Sequence, residues 1–164
     1  MLDQPAHRTP LARACRVVNN TRVPRLLVVD EYPPLATVMA IGLRRAGHEV
    51  VRLGSAQRAE ATDGEFALAI IDIELPDADG VALAERLLAS AATRAVVFFT
   101  ASRDAASRAR AEHIGVVVDK NEGIERLLEV VRARLEQGRL ALAMPDMAPP
   151  QRDSGRSGTR RRVR

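Results

Sequence analysis

The sequence predicts an α/β domain built on a parallel sheet, and three observations carry that prediction. Short apolar runs alternate five times with segments whose apolar residues keep helical spacing. The longest run, Phe66–Ile73, is almost continuously apolar, as a strand covered on both faces should be. Residues able to do chemistry stand at the ends of the runs: Asp30 and Glu31, then Asp72, then Thr100, then Lys120.

The elements follow in order. Residues 25–29 form the first strand. Pro33 and Pro34 suit a helix start, and Leu35, Val38, Met39 and Leu43 keep helical spacing up to Gly47. Residues 49–53 read as a strand, and Ser55 caps a short helix over 56–62. After the run at 66–73, Pro76 breaks the chain, and Val81, Leu83, Leu87 and Leu88 line the next helix. A fourth strand over 95–99 ends at Thr100. An Ala- and Arg-rich helix over 104–114 and a fifth strand over 116–118, ending at Asp119–Lys120, follow. Asn121 stands where it could cap the last helix, whose face carries Ile124, Leu127, Leu128, Val131 and Leu135, with Gly138 as its stop.

The chain of 164 residues suits one domain with extensions. Residues 1–24 carry three prolines and read as an irregular basic extension, with a short helical piece at 11–18. Residues 25–138 form the domain, and residues 139–164 read as a basic, largely disordered tail. Charge separates the same way: +4 over residues 1–25, −5 over 26–138 and +5 over 139–164. The basic ends are read as solvated, so DNA binding is not expected, and the 27 residues after Gln137 are too few for a DNA-binding output domain. Cys15 is the single cysteine, which excludes an intramolecular disulfide and fits a reducing cytoplasm. No apolar run approaches the ~18–20 residues that span a bilayer.

In open parallel sheets the ligand site lies beyond the carboxyl ends of the strands. Carboxylates gathered there need a cation among them. Asp30, Glu31 and Asp72 offer hard oxygen ligands suited to Mg²⁺, with the backbone carbonyl of Glu74 as a further one. Lys120 is the only lysine in a chain that otherwise uses arginine, and a compact ammonium fits a crowded oxyanion site better than a planar fork. With the Thr100 hydroxyl it would face the oxygens of a phosphoryl group, and Asp72 is the natural acceptor, because carboxylates form acyl phosphates.

Taken in order, these pieces resemble the receiver domain of bacterial response regulators. Leu-Leu-Val-Val-Asp-Glu at 26–31 resembles the first strand and acid pair of that family. Ile-Ile-Asp-Ile-Glu-Leu-Pro-Asp-Ala-Asp-Gly at 70–80 resembles its phosphorylation segment. Phe-Phe-Thr-Ala at 98–101 and Val-Val-Val-Asp-Lys at 116–120 resemble its fourth and fifth strands. The resemblance implies a flavodoxin-like, doubly wound (βα)5 sheet of order 2-1-3-4-5. It implies a phosphoryl group taken from a sensor histidine kinase or phosphotransfer protein onto Asp72, with Mg²⁺ on Asp30, Glu31, Asp72 and the Glu74 carbonyl, and Thr100 and Lys120 on the phosphoryl oxygens. Glu74 and Ser102 would stand where the family tunes dephosphorylation. The implied protein is a cytoplasmic, stand-alone signalling module that acts on a downstream protein target and is not an enzyme. Two positions depart from the family. Asn121 replaces the proline after the lysine. Val117 replaces the aromatic residue that turns on activation, so phosphorylation is expected to change the fourth-helix face only modestly.

Other readings fit less well. A degenerate receiver that binds partners without a phosphorylation cycle is the alternative. A haloacid-dehalogenase-type phosphotransferase would need a second Asp where Glu74 stands. A calcium loop starting at Asp72 lacks its distal Glu, because its twelfth position is Leu83. His7, His48 and His113 lack metal-site spacing, and there is neither a nucleophile elbow nor a glycine-rich phosphate loop.

Overall fold

The computed structural model describes residues 23–143. Five parallel strands lie in the order β2-β1-β3-β4-β5: β1 (Arg25–Val29), β2 (Glu49–Leu53), β3 (Leu68–Ile71), β4 (Val96–Thr100) and β5 (Val116–Asp119). Five helices connect or follow them: α1 (Pro33–Arg45), α2 (Ala56–Glu60), α3 (Gly80–Ala89), α4 (Ala105–Ile114) and α5 (Gly123–Ala143). This is the doubly wound α/β fold that the sequence predicts.

Each face of the sheet buries its own core. Met39 and Leu43 of α1 pack with Leu127 and Val131 of α5 against Leu26, Val28, Ile70, Val97 and Phe99. On the opposite face Ala56 and Ala59 of α2, Leu83 and Leu87 of α3 and Ala111 of α4 pack against Leu27, Val29, Ala69, Ile71 and Phe98. Alternate residues of the central strands thus feed opposite cores, which explains why β3 and β4 are apolar at nearly every position.

The element boundaries depart from expectation in ways that have physical causes. β3 proper is Leu68–Ile71, shorter than the apolar run that contains it. Phe66 makes an isolated bridge with Thr93, and the Arg25 guanidinium lies 4.8 Å from its ring centroid. α5 does not stop at Gly138 but continues to Ala143, so regular structure reaches five residues past the expected boundary. A glycine inside an exposed helix costs only about 1 kcal/mol relative to alanine, and helix-forming neighbours carry α5 through it. Asn121 does not cap the last helix either. Asp119 caps a 3-10 turn over Lys120–Glu122, its side chain accepting from the Asn121 amide at 2.9 Å, while Glu122 accepts from the Asp119 amide at 3.0 Å. Gly123, at φ +85°, then turns the chain into α5. The helical piece expected at 11–18, and the rest of both extensions outside 23–143, lie beyond the described residues.

Ser55 caps α2 as expected, through the Arg58 amide. Asp77, from the loop after β3, also reaches this helix end and accepts from the amides of Ala56 and Gln57, both at 2.9 Å. Asp79 caps α3 through the Val81 amide at 2.7 Å and pairs with Arg110 of α4 at 2.8 Å. Burial would raise the Asp79 pKa, but the bond from Arg110, its charge and the Val81 amide outweigh burial and hold it below the ordinary value. Its contribution to stability is therefore full above the ordinary carboxylate range and fades as pH falls through its lowered value. Replacing Asp79 by Ala is expected to cost about 1 kcal/mol at neutral pH. Urea titrations should show this deficit shrinking in acid below pH ~4, and a constant deficit down to full acid unfolding would contradict the assignment.

Candidate functional site at the carboxyl edge of the sheet

Register places the candidate residues side by side. Val29 of β1 pairs with Ile71 of β3, so Asp30 and Asp72 leave neighbouring strands at the same level. Thr100 of β4 pairs with Asp119 of β5, one step further toward the carboxyl edge, and Lys120 follows just beyond and reaches back to both aspartates. The Asp30 and Asp72 amides are still tied to the sheet, donating to Leu53 O and Val29 O at 3.1 and 3.0 Å.

Asp30 and Asp72 are both buried and are oriented in the same way. Oδ1 of Asp30 accepts from the Tyr32 amide at 2.8 Å, and Oδ1 of Asp72 accepts from the Glu74 amide at 3.3 Å. Each residue thus uses one oxygen to close its own loop, two residues on, and presents the other to Lys120. The ammonium lies 2.8 Å from Oδ2 of Asp30 and 2.5 Å from Oδ2 of Asp72. The first contact is a charge contact without an aligned donor, so Oδ2 of Asp30 is a buried oxygen with no hydrogen bond. Burial would lower the Lys120 pKa, but its contacts with the two carboxylates outweigh burial and hold it above the ordinary lysine value. The ammonium is charged throughout the neutral range.

Thr100 is fully buried, and its hydroxyl accepts from the Ser102 amide at 3.1 Å, which leaves the hydroxyl proton available to a ligand. Ser102 is buried as well, with its hydroxyl accepting from the Asp104 amide at 3.4 Å. Glu74 has an exposed side chain. Glu31 is exposed too, and among the described residues no group of three or more acidic, histidine or cysteine side chains is gathered as a metal site. The structure therefore brings together two of the three expected carboxylates, because the chain turns outward after Asp30 into α1.

Sequence reasoning missed two supports of the site. Gly80 donates to Ile73 O at 2.8 Å, and a Cβ on it would stand 1.9 Å from the Asp72 carbonyl oxygen, so only glycine lets α3 start this close to the acceptor strand. Its signal was the Asp-Gly pair itself. Arg108 of α4 donates to Ser102 O at 3.1 Å and to Oδ2 of Asp119 at 3.4 Å. Nothing in the sequence marked it among the other arginines.

A doubly wound sheet with two buried aspartates, one lysine and one hydroxyl at its carboxyl edge defines the receiver class of α/β domains. The chain belongs to the response regulator receiver domain family, whose model matches residues 26–132. It is a receiver domain of two-component signalling. Among curated proteins it is 32% identical, over an alignment of 164 residues, to the virulence sensor protein BvgS of Bordetella parapertussis. That match covers 92% of the chain but only 13% of the sensor protein's length. Among solved structures it is similar to a CheY-like response regulator receiver domain from Methanospirillum hungatei (TM-score 0.67, 23% identity, 73% of this chain and 98% of the other). It is also similar to the response regulator TrrA of Thermotoga maritima in complex with Mg²⁺ and BeF (TM-score 0.61, 23% identity, 68% and 99%). These likenesses show the fold. No helix among the described residues is long and apolar enough to cross a membrane.

The charge balance of the site gives two opposite expectations. Lys120→Met leaves two buried carboxylates without their cation and should cost about 3–5 kcal/mol. Asp30→Asn keeps the shape, removes one desolvated charge and leaves Lys120 paired with Asp72, so it should gain about 1 kcal/mol. Denaturant unfolding of both variants checks the pair, and a destabilised Asp30→Asn would contradict the reading of a site strained by its own charge. Gly80→Ala, which drives a methyl into the Asp72 carbonyl, should cost about 1–3 kcal/mol by overpacking. A neutral result in the same assay would show that the α3 start has room.

Proposed function

We propose that the chain is a phosphoacceptor whose Asp72 takes a phosphoryl group from a phosphohistidine of a sensor histidine kinase or phosphotransfer protein. It would work in the cytoplasm as a binding module for a downstream protein rather than as an enzyme. The observation that carries this reading is the shared ammonium: Lys120 holds the Oδ2 atoms of Asp30 and Asp72 together at the carboxyl edge of the sheet. In the transfer an Asp72 carboxylate oxygen bonds to phosphorus while the phosphorus–nitrogen bond breaks. The imidazole nitrogen keeps the electron pair and takes a proton from solvent. Lys120, already charged and partly buried, compensates the phosphoryl oxygens, and the Thr100 hydroxyl has a proton to donate to one of them.

The donors fit Mg²⁺. They are all oxygens, and Oδ2 of Asp30 is buried with no hydrogen bond of its own. One or two carboxylates with waters and phosphate oxygens are the usual Mg²⁺ set. Asp30 and Asp72 would hold the ion, with Glu31 and the Glu74 carbonyl as further oxygen donors. A bound Mg²⁺ supplies positive charge against the phosphoryl oxygens. The complex of the structurally similar TrrA with Mg²⁺ and BeF supports a Mg²⁺ site in this chain.

A small acyl-phosphate donor in Mg²⁺ should add one phosphoryl group to the wild-type chain by intact-mass spectrometry, and none to Asp72→Ala. Mg²⁺ affinity by calorimetry should drop at least about tenfold in Asp30→Asn, the ~1.4 kcal/mol of one lost charge contact. An increment that survives Asp72→Ala would move the acceptor elsewhere. No increment in the wild type would favour a degenerate receiver that binds partners without a phosphorylation cycle.

A further inference from the structure

Helix α1 is composed like a buried helix, although one side of it faces outward. From Pro33 to Leu43 it carries no charged residue, and its one polar side chain there, Thr37, is tied to Pro33 O and to Arg52. Its inner face is spent on the core through Ala36, Met39, Ala40 and Leu43. Its outer face leaves Val38 51% and Ile41 44% exposed, and Tyr32 at its N-cap is 60% exposed. These are three of the five large apolar side chains exposed among the described residues. A surface helix ordinarily turns charge to solvent, as α5 does with Arg126, Glu129 and Arg132. A helix that is apolar all round is ordinarily covered.

The order of residues along the outer face indicates what covers it. Glu31, just before the helix, and then Pro34, Val38, Ile41 and Arg45 are all exposed. They follow one another at intervals of three and four, the spacing of a seam between two helices. Val38 is the centre, with Glu31 and Arg45 each seven residues away. The series is therefore complementary to its own reverse. When two copies are laid antiparallel across a two-fold axis, Val38 meets Val38, Ile41 meets Pro34, and Glu31 meets Arg45 at both ends. When they are laid parallel, Glu31 meets Glu31 and Arg45 meets Arg45. Neither Glu31 nor Arg45 has an ion-pair partner among the described residues, whereas the adjacent Arg44 is held on Val50 O. The chain's own extensions match this face less well, since both are basic and would meet Arg44 and Arg45 with like charge.

We propose that the outer face of α1 is a self-association surface, on which a second copy of this chain docks with its own α1 antiparallel. The contact is isologous, so both copies use the same residues. Val38 and Ile41 supply the apolar centre. The two Glu31–Arg45 pairs at the rim set the direction, because like charges oppose the parallel arrangement. One helix face is a small patch, so the dimer is weak, with a dissociation constant on the order of 0.1 mM, above the micromolar limit of standard-size interfaces. The contact needs no phosphoryl group on Asp72.

Sedimentation equilibrium of the full chain, without Mg²⁺ or phosphodonor and at concentrations that span this constant, tests it. The wild type should pass from monomer to dimer. Ile41→Glu, at an exposed position, should raise the dissociation constant at least about tenfold, with circular dichroism and urea unfolding unchanged. If that variant folds poorly, Val38→Ser at the centre should give the same loss. Glu31→Arg and Arg45→Glu should each weaken the dimer, because each sets like charges against one another at both ends. Mixed in equal amounts, these two variants should associate again, because the mixed pair has opposite charges at both ends. A wild type that stays monomeric throughout overturns the proposal and leaves the face to a different protein. A dimer that survives both Ile41→Glu and Val38→Ser overturns it by placing the contact elsewhere. A mixture that associates no better than its parts overturns the antiparallel docking.

Discussion

Two carboxylates share one ammonium at the edge of the sheet, and much of the structure serves that arrangement. Asp30 and Asp72 are buried, and like charges this close persist only around a cation. The apolar framework fixes where the three meet. β1, β3 and β5 are locked by cores on both faces, so the residues just past their ends have little choice of position. Local loops then fix how they point: each aspartate commits Oδ1 to an amide two residues on and has Oδ2 left for Lys120. Buried charges of this kind are often less stable than well-packed apolar substitutes, and residues kept at such a cost are ordinarily kept for chemistry.

The same economy of carboxylates recurs in the surrounding loops. Asp77 closes the start of α2, Asp79 the start of α3 and Asp119 the turn before α5. Negative charge is favourable at each of these helix starts because unpaired amides and the helix dipole meet there. The segment from Asp72 to Gly80 is therefore braced at both flanks, against α2 through Asp77 and against α4 through Arg110. A phosphoryl group arriving at Asp72 would meet a loop already in place. Ordering it would not have to be drawn from the energy of the transfer.

Much of this was legible in the residues, because the signals were local or strongly periodic. Alternating apolar runs gave the strand order once the family resemblance was drawn, and the strand-end rule picked out Asp30, Asp72, Thr100 and Lys120 from sequence alone. What escaped depended on three dimensions or on competition between local signals. Gly138 resembles a stop, yet a helix already seeded by Leu127 and Val131 runs through it. Asn121 resembles a cap, but Asp119 two residues earlier, with Glu122 three further on, makes the better capping box. Glu31 sits beside Asp30 in sequence, and its side chain is exposed where the chain turns into α1. Arg108 meets an acceptor eleven residues away across a turn and a strand, a contact with no sequence period.

Output is where this chain's own residues set the terms. Val117 is short, stiff at χ1 and packed against the core on the α3 and α4 face, so it has neither the size nor a polar atom to report on Thr100. Burial of a medium-sized apolar side chain stabilises by about 1.5–3 kcal/mol, and α4 fully buries no side chain larger than alanine. A half-buried charged hydrogen bond, worth about 1.5–3 kcal/mol, is comparable to the whole of that missing anchorage. Polar contacts therefore make up a larger share of the anchorage of α4 than of α3 or α5, whose leucines and valines hold them to the sheet. With so small an apolar face, α4 owes its placement in good part to Arg108 on Asp119 and Arg110 on Asp79.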